Sequence, residues 1–130
     1  MAQAHDVAKF SGKVLLVEDN PSNQLVTGFL IEEFGVRYDV ANNGQEAVDF
    51  ITNGHQYDLI LMDIQMPVMN GYVATRAIRV YSPIIVPICA LSGSDSPDDK
   101  TKAKKAGMND FILKPIEPEK IQKIFSKYLV

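Results

Sequence analysis

A three-layer α/β sandwich, built on a doubly wound five-stranded parallel sheet, is the fold class this sequence predicts, and two observations predict it. Five short apolar runs, among them Leu59 to Met62 without a polar break, alternate with five longer segments whose apolar residues recur at helical spacing. Apart from Asp39 in the second, the runs are apolar rather than alternating, which is the pattern of strands covered on both faces by crossover helices. At 130 residues the chain can bury one core but not a core plus a second folded unit.

Each element has its own signals. Val14 to Val17 reads as the first strand, followed by Glu18, Asp19, Asn20 and Pro21. Asn20 can cap a helix whose first position is Pro21, where the missing N–H costs nothing. That helix is expected to carry Leu25, Val26, Phe29 and Leu30 on its inner face and to stop near Gly35 in a left-handed cap. Tyr38 to Ala41 is the second strand, and Gln45 to Thr52 a helix with Ala47, Val48 and Ile51 inward and Gly54 after it. Leu59 to Met62 is the third strand and runs into a carboxylate, Asp63; a loop through Pro67 and Asn70 then leads to a helix around Tyr72 to Val80. Pro87 to Leu91 is the fourth strand, its proline tolerable only at the first position. A helix from Pro97 to Ala106 ends at Gly107, Phe111 to Leu113 forms the fifth strand, and Glu119 to Tyr128 the last helix. Residues 1–12 read as a flexible tail and residues 13–130 as the folded domain.

Composition narrows the function classes. The chain is 46% hydrophobic and 22% charged with a net charge of −3, ordinary for a soluble domain and contrary to a basic footprint for direct nucleic-acid binding. The single cysteine, Cys89, lies in an apolar run and cannot form an internal disulfide, which fits a reducing, cytoplasmic setting. No apolar stretch is long enough for a membrane span, and residues 1–12 lack the apolar core of a secretory signal. His5 falls in the polar tail and His55 in a turn, so neither has the neighbours of a metal or catalytic site.

Right-handed crossovers leave few windings for such a chain. A common one has strand order 2-1-3-4-5, the flavodoxin-like arrangement, with its switch point between strands one and three. Ligands bind beyond the carboxyl ends of the strands at that point. Glu18 and Asp19 after strand one, Asp63 at the end of strand three, Ser92 after strand four and Lys114 after strand five would meet at one rim. Two carboxylates 4 Å apart repel by about 4 kcal/mol at an effective dielectric near 20, so a trio calls for raised pKa values, a cation, or both. Mg²⁺ suits two carboxylates, a carbonyl and several waters, and also holds phosphate oxygens. Asp63 is the candidate nucleophile, because a carboxylate can accept a phosphoryl group; Lys114 and the Ser92 hydroxyl would complete the polar shell around it.

The stretches VLLVEDNPSNQ, LILMDIQMPVMNG, ALSG, AGMNDF and LKPI, in this order at strand ends, resemble the receiver domains of two-component response regulators and hybrid histidine kinases. The likeness runs from Lys13 to about Leu129, and EDNPSNQ with MDIQMPVMNGYVATRAIR looks more like the hybrid type. It implies that Asp63 accepts a phosphoryl group from a phosphohistidine on a histidine kinase or histidine phosphotransfer protein, and loses it slowly by self-catalysed hydrolysis. It implies that Asp19 and Asp63 bind Mg²⁺ with the Gln65 carbonyl, Glu18 acting mainly through water. Lys114 would pair with the phosphate, with a cis bond to Pro115, and Ser92 and Phe111 would be the switch residues. Ser92 stands where threonine is usual and Phe111 lacks a phenolic hydroxyl, so the coupling loses a rotamer-restraining methyl and a hydrogen bond.

Two further features concern output. The segment Pro97 to Ala106 carries Asp98, Asp99, Lys100, Lys102, Lys104 and Lys105, leaving Ala103, Ala106 and flanking Met108 to bury, so this helix should shift cheaply. Its lysines, with Lys120, Lys123 and Lys127 of the last helix, form either a solvated face or a basic patch beside Phe111 where an output partner meets the fourth helix, fifth strand and last helix. The competing function is a Mg²⁺-dependent phosphatase or phosphotransferase with an aspartate nucleophile; such enzymes keep a second acid two residues on, where this chain has Gln65.

Overall fold

A computed structural model describes residues 8–81 and 86–130. Strands and helices alternate in the order β1 (Lys13–Val17), α1 (Pro21–Glu33), β2 (Arg37–Ala41), α2 (Gly44–Thr52), β3 (Leu59–Asp63), α3 (Gly71–Tyr81), β4 (Ile88–Ser92), α4 (Pro97–Ala106), β5 (Asp110–Leu113) and α5 (Pro118–Tyr128). All strand pairs are parallel and the sheet order is β2-β1-β3-β4-β5, as expected from the sequence. Asp63 pairs with Leu91 in register, which brings the ends of β3 and β4 level at one edge.

The two-residue period of the strands divides the core in two. Val14, Leu16, Leu59, Leu61, Cys89 and Leu91 face α1 and α5, meeting Ile31, Phe34, Ile121 and Phe125. Leu15, Val17, Ile60, Met62, Ile88 and Ala90 face the other way, meeting Ala47, Ala74, Ile78 and Ala103. Every residue of β3 and β4 is buried, which is why these runs carry no polar alternation until Asp63 and Ser92. Helix starts follow the anticipated chemistry at Asn20, which accepts from the Asn23 N–H at 3.0 Å, and Gly35 takes the left-handed conformation expected after α1.

Two expectations change. Leu25, Val26 and Phe29 do not face inward; they are 75%, 58% and 63% exposed, and Leu30 is half-buried. The seat of α1 is Thr27, Gly28 and Ile31, because the Tyr38 hydroxyl from β2 lies directly under Gly28 in the space a Cβ would need. The helix therefore docks on its smallest residues. The predicted flexible tail also divides. Residues 1–7, with His5, lie outside the described residues, but Phe10 packs its ring 6.0 Å from Phe34 and 5.9 Å from Phe125, while its N–H donates to the Phe34 carbonyl at 2.8 Å. The packed unit thus starts before residue 13. Among the described residues, no helix is long and apolar enough to cross a membrane.

Candidate functional site

The carboxyl edge of the sheet assembles the acids the sequence pointed to. β1 delivers Glu18, 2% exposed, and the exposed Asp19; β3 ends on Asp63, 3% exposed. One carboxylate oxygen from each of the three lies within 4.8 Å of the others. Lys114, immediately after β5, places Nζ 3.1 Å from Asp63 Oδ2 and 3.7 Å from Glu18 Oε1. The Lys114 N–H donates to the Ser92 carbonyl at 2.7 Å, which ties its backbone to the end of β4; the bond to Pro115 is cis.

The shell around the acids comes from short-range structure. The Gln65 N–H donates to Asp63 Oδ1 at 3.2 Å, closing the turn after β3. A Cβ on Gly71, at the start of α3, would fall on the Asp63 carbonyl and 2.9 Å from Ile64 Cα, so that turn returns under the acid with no room for a side chain. Burial raises the Glu18 pKa above its ordinary 4.5; the Asn20 N–H at 3.1 Å opposes this, Asp63 adds to it and Lys114 reduces it. Three hard oxygen donors in one depression, backed by one ammonium, are the donor set of a hard divalent cation such as Mg²⁺.

Ser92, 7% exposed, lies at the same edge, and its hydroxyl bonds the Ser94 backbone, donating to the Ser94 carbonyl at 2.9 Å and accepting the Ser94 N–H at 3.1 Å. A crevice of about 350 Å³ opens beside it, bounded by Gln65, Met66, Asn70 and Tyr72. Phe111 is half-buried, with Lys100 Nζ 5.9 Å from its ring centre, in a cleft of about 480 Å³ between α4 and β5. Of the lysines read as a patch, Lys127 is paired with Asp110, Lys120 with Glu117, and Lys102 with Asp98.

Sequence reasoning missed Gln24, whose Nε2 donates to the Glu18 carbonyl at 2.6 Å and to Asn42 Oδ1 at 2.8 Å, bracing the β1 end. Its place on the fourth residue of a helix that starts at the site was the available signal. It also missed Val68, a β-branched residue in the loop between β3 and α3 with φ 69°, held by a Met69 N–H to Pro67 carbonyl bond of 2.7 Å and 82% exposed.

Comparison with known proteins decides what family carries this edge. The family described as the response regulator receiver domain matches residues 14–126. The chain belongs to the receiver domain family. It is 45% identical over 121 residues to hybrid signal transduction histidine kinase B of Dictyostelium discoideum, covering 84% of this chain and 6% of that kinase. It is 39% identical over 113 residues to two-component response regulator 24 of Arabidopsis thaliana, covering 87% and 81%. The receiver domain thus spans a small part of the hybrid kinase and most of the plant regulator. Among solved structures, the receiver domain of sensor histidine kinase PA1611 from Pseudomonas aeruginosa, with magnesium coordinated in its active-site cleft, aligns with a TM-score of 0.82 at 38% identity, covering 91% of this chain and 97% of that one. A co-crystal structure of a Saccharomyces cerevisiae histidine phosphotransfer protein with the receiver domain of its downstream regulator aligns with a TM-score of 0.85 at 34% identity, covering 94% and 91%. This receiver is therefore a signalling module of two-component systems.

Proposed function

We propose that Asp63 is the phosphoacceptor and that this receiver passes the resulting charge change to its α4-β5-α5 face. The observation that carries the reading is the placement of Asp63: a nearly buried carboxylate with an ammonium at 3.1 Å and two further acids within 4.8 Å. An Asp63 oxygen attacks the phosphorus of a phosphohistidine, the O–P bond forms as the P–N bond breaks, and the electron pair leaves on the imidazole nitrogen. A bound Mg²⁺, held by Asp19, Asp63 and the Gln65 carbonyl with Glu18 behind it, would supply positive charge to the phosphoryl oxygens. Lys114 turns from Asp63 to the new phosphoryl group, and Ser92 exchanges Ser94 for it. Phe111 then repacks, and slow hydrolysis resets the switch.

The partner reading rests on α1. Leu25, Val26 and Phe29 form an exposed apolar face on the helix capped by Asn20, next to Asp19, and this suits the helical surface of a histidine phosphotransfer protein or kinase. The cleft between α4 and β5, with Lys100 and Lys104 beside Phe111, is the surface offered to an output partner. We place the receiver in the cytoplasm, a reading that the free, buried Cys89 supports.

Incubation with acetyl phosphate and Mg²⁺ followed by intact mass measurement tests the reading. One added phosphoryl group is expected, released in base and absent in Asp63→Asn. Fast turnover of a phosphomonoester with no covalent species would overturn it in favour of a small-molecule phosphatase.

A further inference from the structure

We propose that Arg79 is the fixed pivot of α4, a positioning residue that converts the release of Ser92 into a rotation of that helix against Phe111; this rests on the reading of Asp63 as phosphoacceptor. Arg79 lies in the last turn of α3, on a helix whose exposed residues include Val73 and Val80. Its guanidinium does not simply point to water. Nε and Nη2 donate to the Gly107 carbonyl at 3.0 and 2.9 Å, Nη1 to the Val86 carbonyl at 2.6 Å, and Nη2 also to Asn109 Oδ1 at 2.8 Å. Asn109 is in turn tied to β4, accepting the Ile88 N–H on Oδ1 at 2.9 Å and donating its own N–H to the Ile88 carbonyl at 2.7 Å. One side chain therefore joins the end of α3, the entry to β4, the C-cap of α4 and the entry to β5. Gly107 leaves space for it: with φ 109°, a Cβ there would sit 3.0 Å from Arg79 Cγ.

The other end of α4 is held loosely. Its cap is local, Ser96 Oγ accepting the Asp99 N–H at 3.1 Å, and among the described residues its hydrogen-bonded link to α3 is one long bond, Tyr72 Oη to the Asp99 carbonyl at 3.5 Å. Ala103 and Ala106 are the buried residues of the helix, both in its second half. The loose end is also the end joined to Ser92, whose two bonds to Ser94 hold the intervening loop. When Ser92 turns to a phosphoryl group, those two bonds break and the N-terminal half of α4 is released, while Arg79 keeps the C-terminal end in place. The result is a swing that carries Lys100 across Phe111. Without the pivot, the same release would loosen α4 along its length and deliver no directed motion to Phe111. A lysine cannot substitute, because a single ammonium lacks the planar fork that reaches three acceptors at once.

Amide hydrogen exchange with and without Mg²⁺ and beryllofluoride, on the wild type, Arg79→Met and Arg79→Lys, tests this, with thermal unfolding of each run alongside. In the wild type the additive should change exchange at Asp99 and Lys100 by about tenfold or more, and at Met108 and Asn109 by less than about twofold. Both variants should spread the change to Met108 and Asn109 and shrink the chemical-shift response of Phe111. A merely structural role would lower the melting temperature of the variants and leave the wild-type distribution of exchange intact. That distribution in Arg79→Met, or a wild-type response at Met108 as large as at Lys100, overturns the pivot. Should Arg79→Met fail to fold, Asn109→Ala, which cuts one strand of the junction, carries the same comparison. No response at Gln65 in the wild type would overturn the phosphoacceptor reading and the pivot with it; a response at Gln65 with uniform exchange changes along α4 overturns the pivot alone.

Discussion

Replacing Lys114 with glutamine removes the cation that faces the two buried acids. At 3.1 Å from Asp63 and 3.7 Å from Glu18, and an effective dielectric near 20, its gross attraction is roughly 5 kcal/mol to the first and 4.5 kcal/mol to the second. Much of that is offset, because the lysine side chain is 30% exposed and ordering and desolvating it costs free energy. A net loss of about 2–3 kcal/mol remains, since the substitution leaves two buried carboxylates facing each other. With an unfolding entropy of about 0.27 kcal/mol/K for a chain of this size, the melting temperature in EDTA should fall by roughly 7–11 °C. Magnesium should reverse part of this. At ten times its Kd, Mg²⁺ stabilises the wild type by about 1.4 kcal/mol, or roughly 5 °C. Lys114→Gln leaves a more negative site, so at the same Mg²⁺ concentration its gain should be larger, while Asp19→Asn should lose most of its gain. Thermal unfolding followed by circular dichroism across a Mg²⁺ titration measures all three. If Lys114→Gln melted within about 2 °C of wild type in EDTA, or Mg²⁺ raised both proteins equally, the acids and the lysine would not form one electrostatic unit.

Three more outcomes follow from the geometry. The Tyr57 hydroxyl at 2.7 Å, with Lys13, lowers the Asp39 pKa, and Asp110 is lowered although burial alone would raise it, because Lys127, Tyr128 and the Phe111 N–H bond it. Depressed carboxylates contribute stability above their unfolded value of 3.8 and lose it as pH falls through the folded value, so the destabilisation caused by Asp39→Asn or Asp110→Asn in urea should shrink from pH 5 toward pH 2; a gap independent of pH would refute the assignment. Gly71→Ala forces a Cβ onto the Asp63 carbonyl and should cost about 2–3 kcal/mol and slow labelling by acetyl phosphate, whereas Gly93→Ala, with nothing within 4 Å, should stay within about 0.5 kcal/mol of wild-type stability. Leu25→Ser with Phe29→Ser should leave stability and acetyl phosphate labelling unchanged but slow phosphotransfer from a phosphorylated histidine phosphotransfer protein by about tenfold, the loss of a small apolar anchor; unchanged transfer rates would remove α1 from the docking surface.

What the sequence disclosed and what it hid divide along one physical line. The central strands β3 and β4 were legible because burial on both faces leaves no choice of residue, and Asp63, Glu18, Asp19, Ser92 and Lys114 stood out because polar groups at the ends of such runs have no packing reason to be there. Arg79 was not legible, because its acceptors are the carbonyls of Gly107 and Val86, and any residue offers a carbonyl. Phe10 was read as tail because one aromatic among polar neighbours has no period; its partners, Phe34 and Phe125, are distant in sequence. On α1, Leu25, Val26 and Phe29 share one side at helical spacing, and so do Thr27, Gly28 and Ile31 on another. Hydrophobicity favoured the first set, but the seat on β2 required the second, because the Tyr38 hydroxyl tolerates nothing larger than hydrogen at position 28. Periodicity shows that a helix has a face to cover and does not show what covers it. On the proposed reading, in which a phosphohistidine donor docks at the rim where α1 begins, the apolar residues the fold leaves outside are the ones available for that contact.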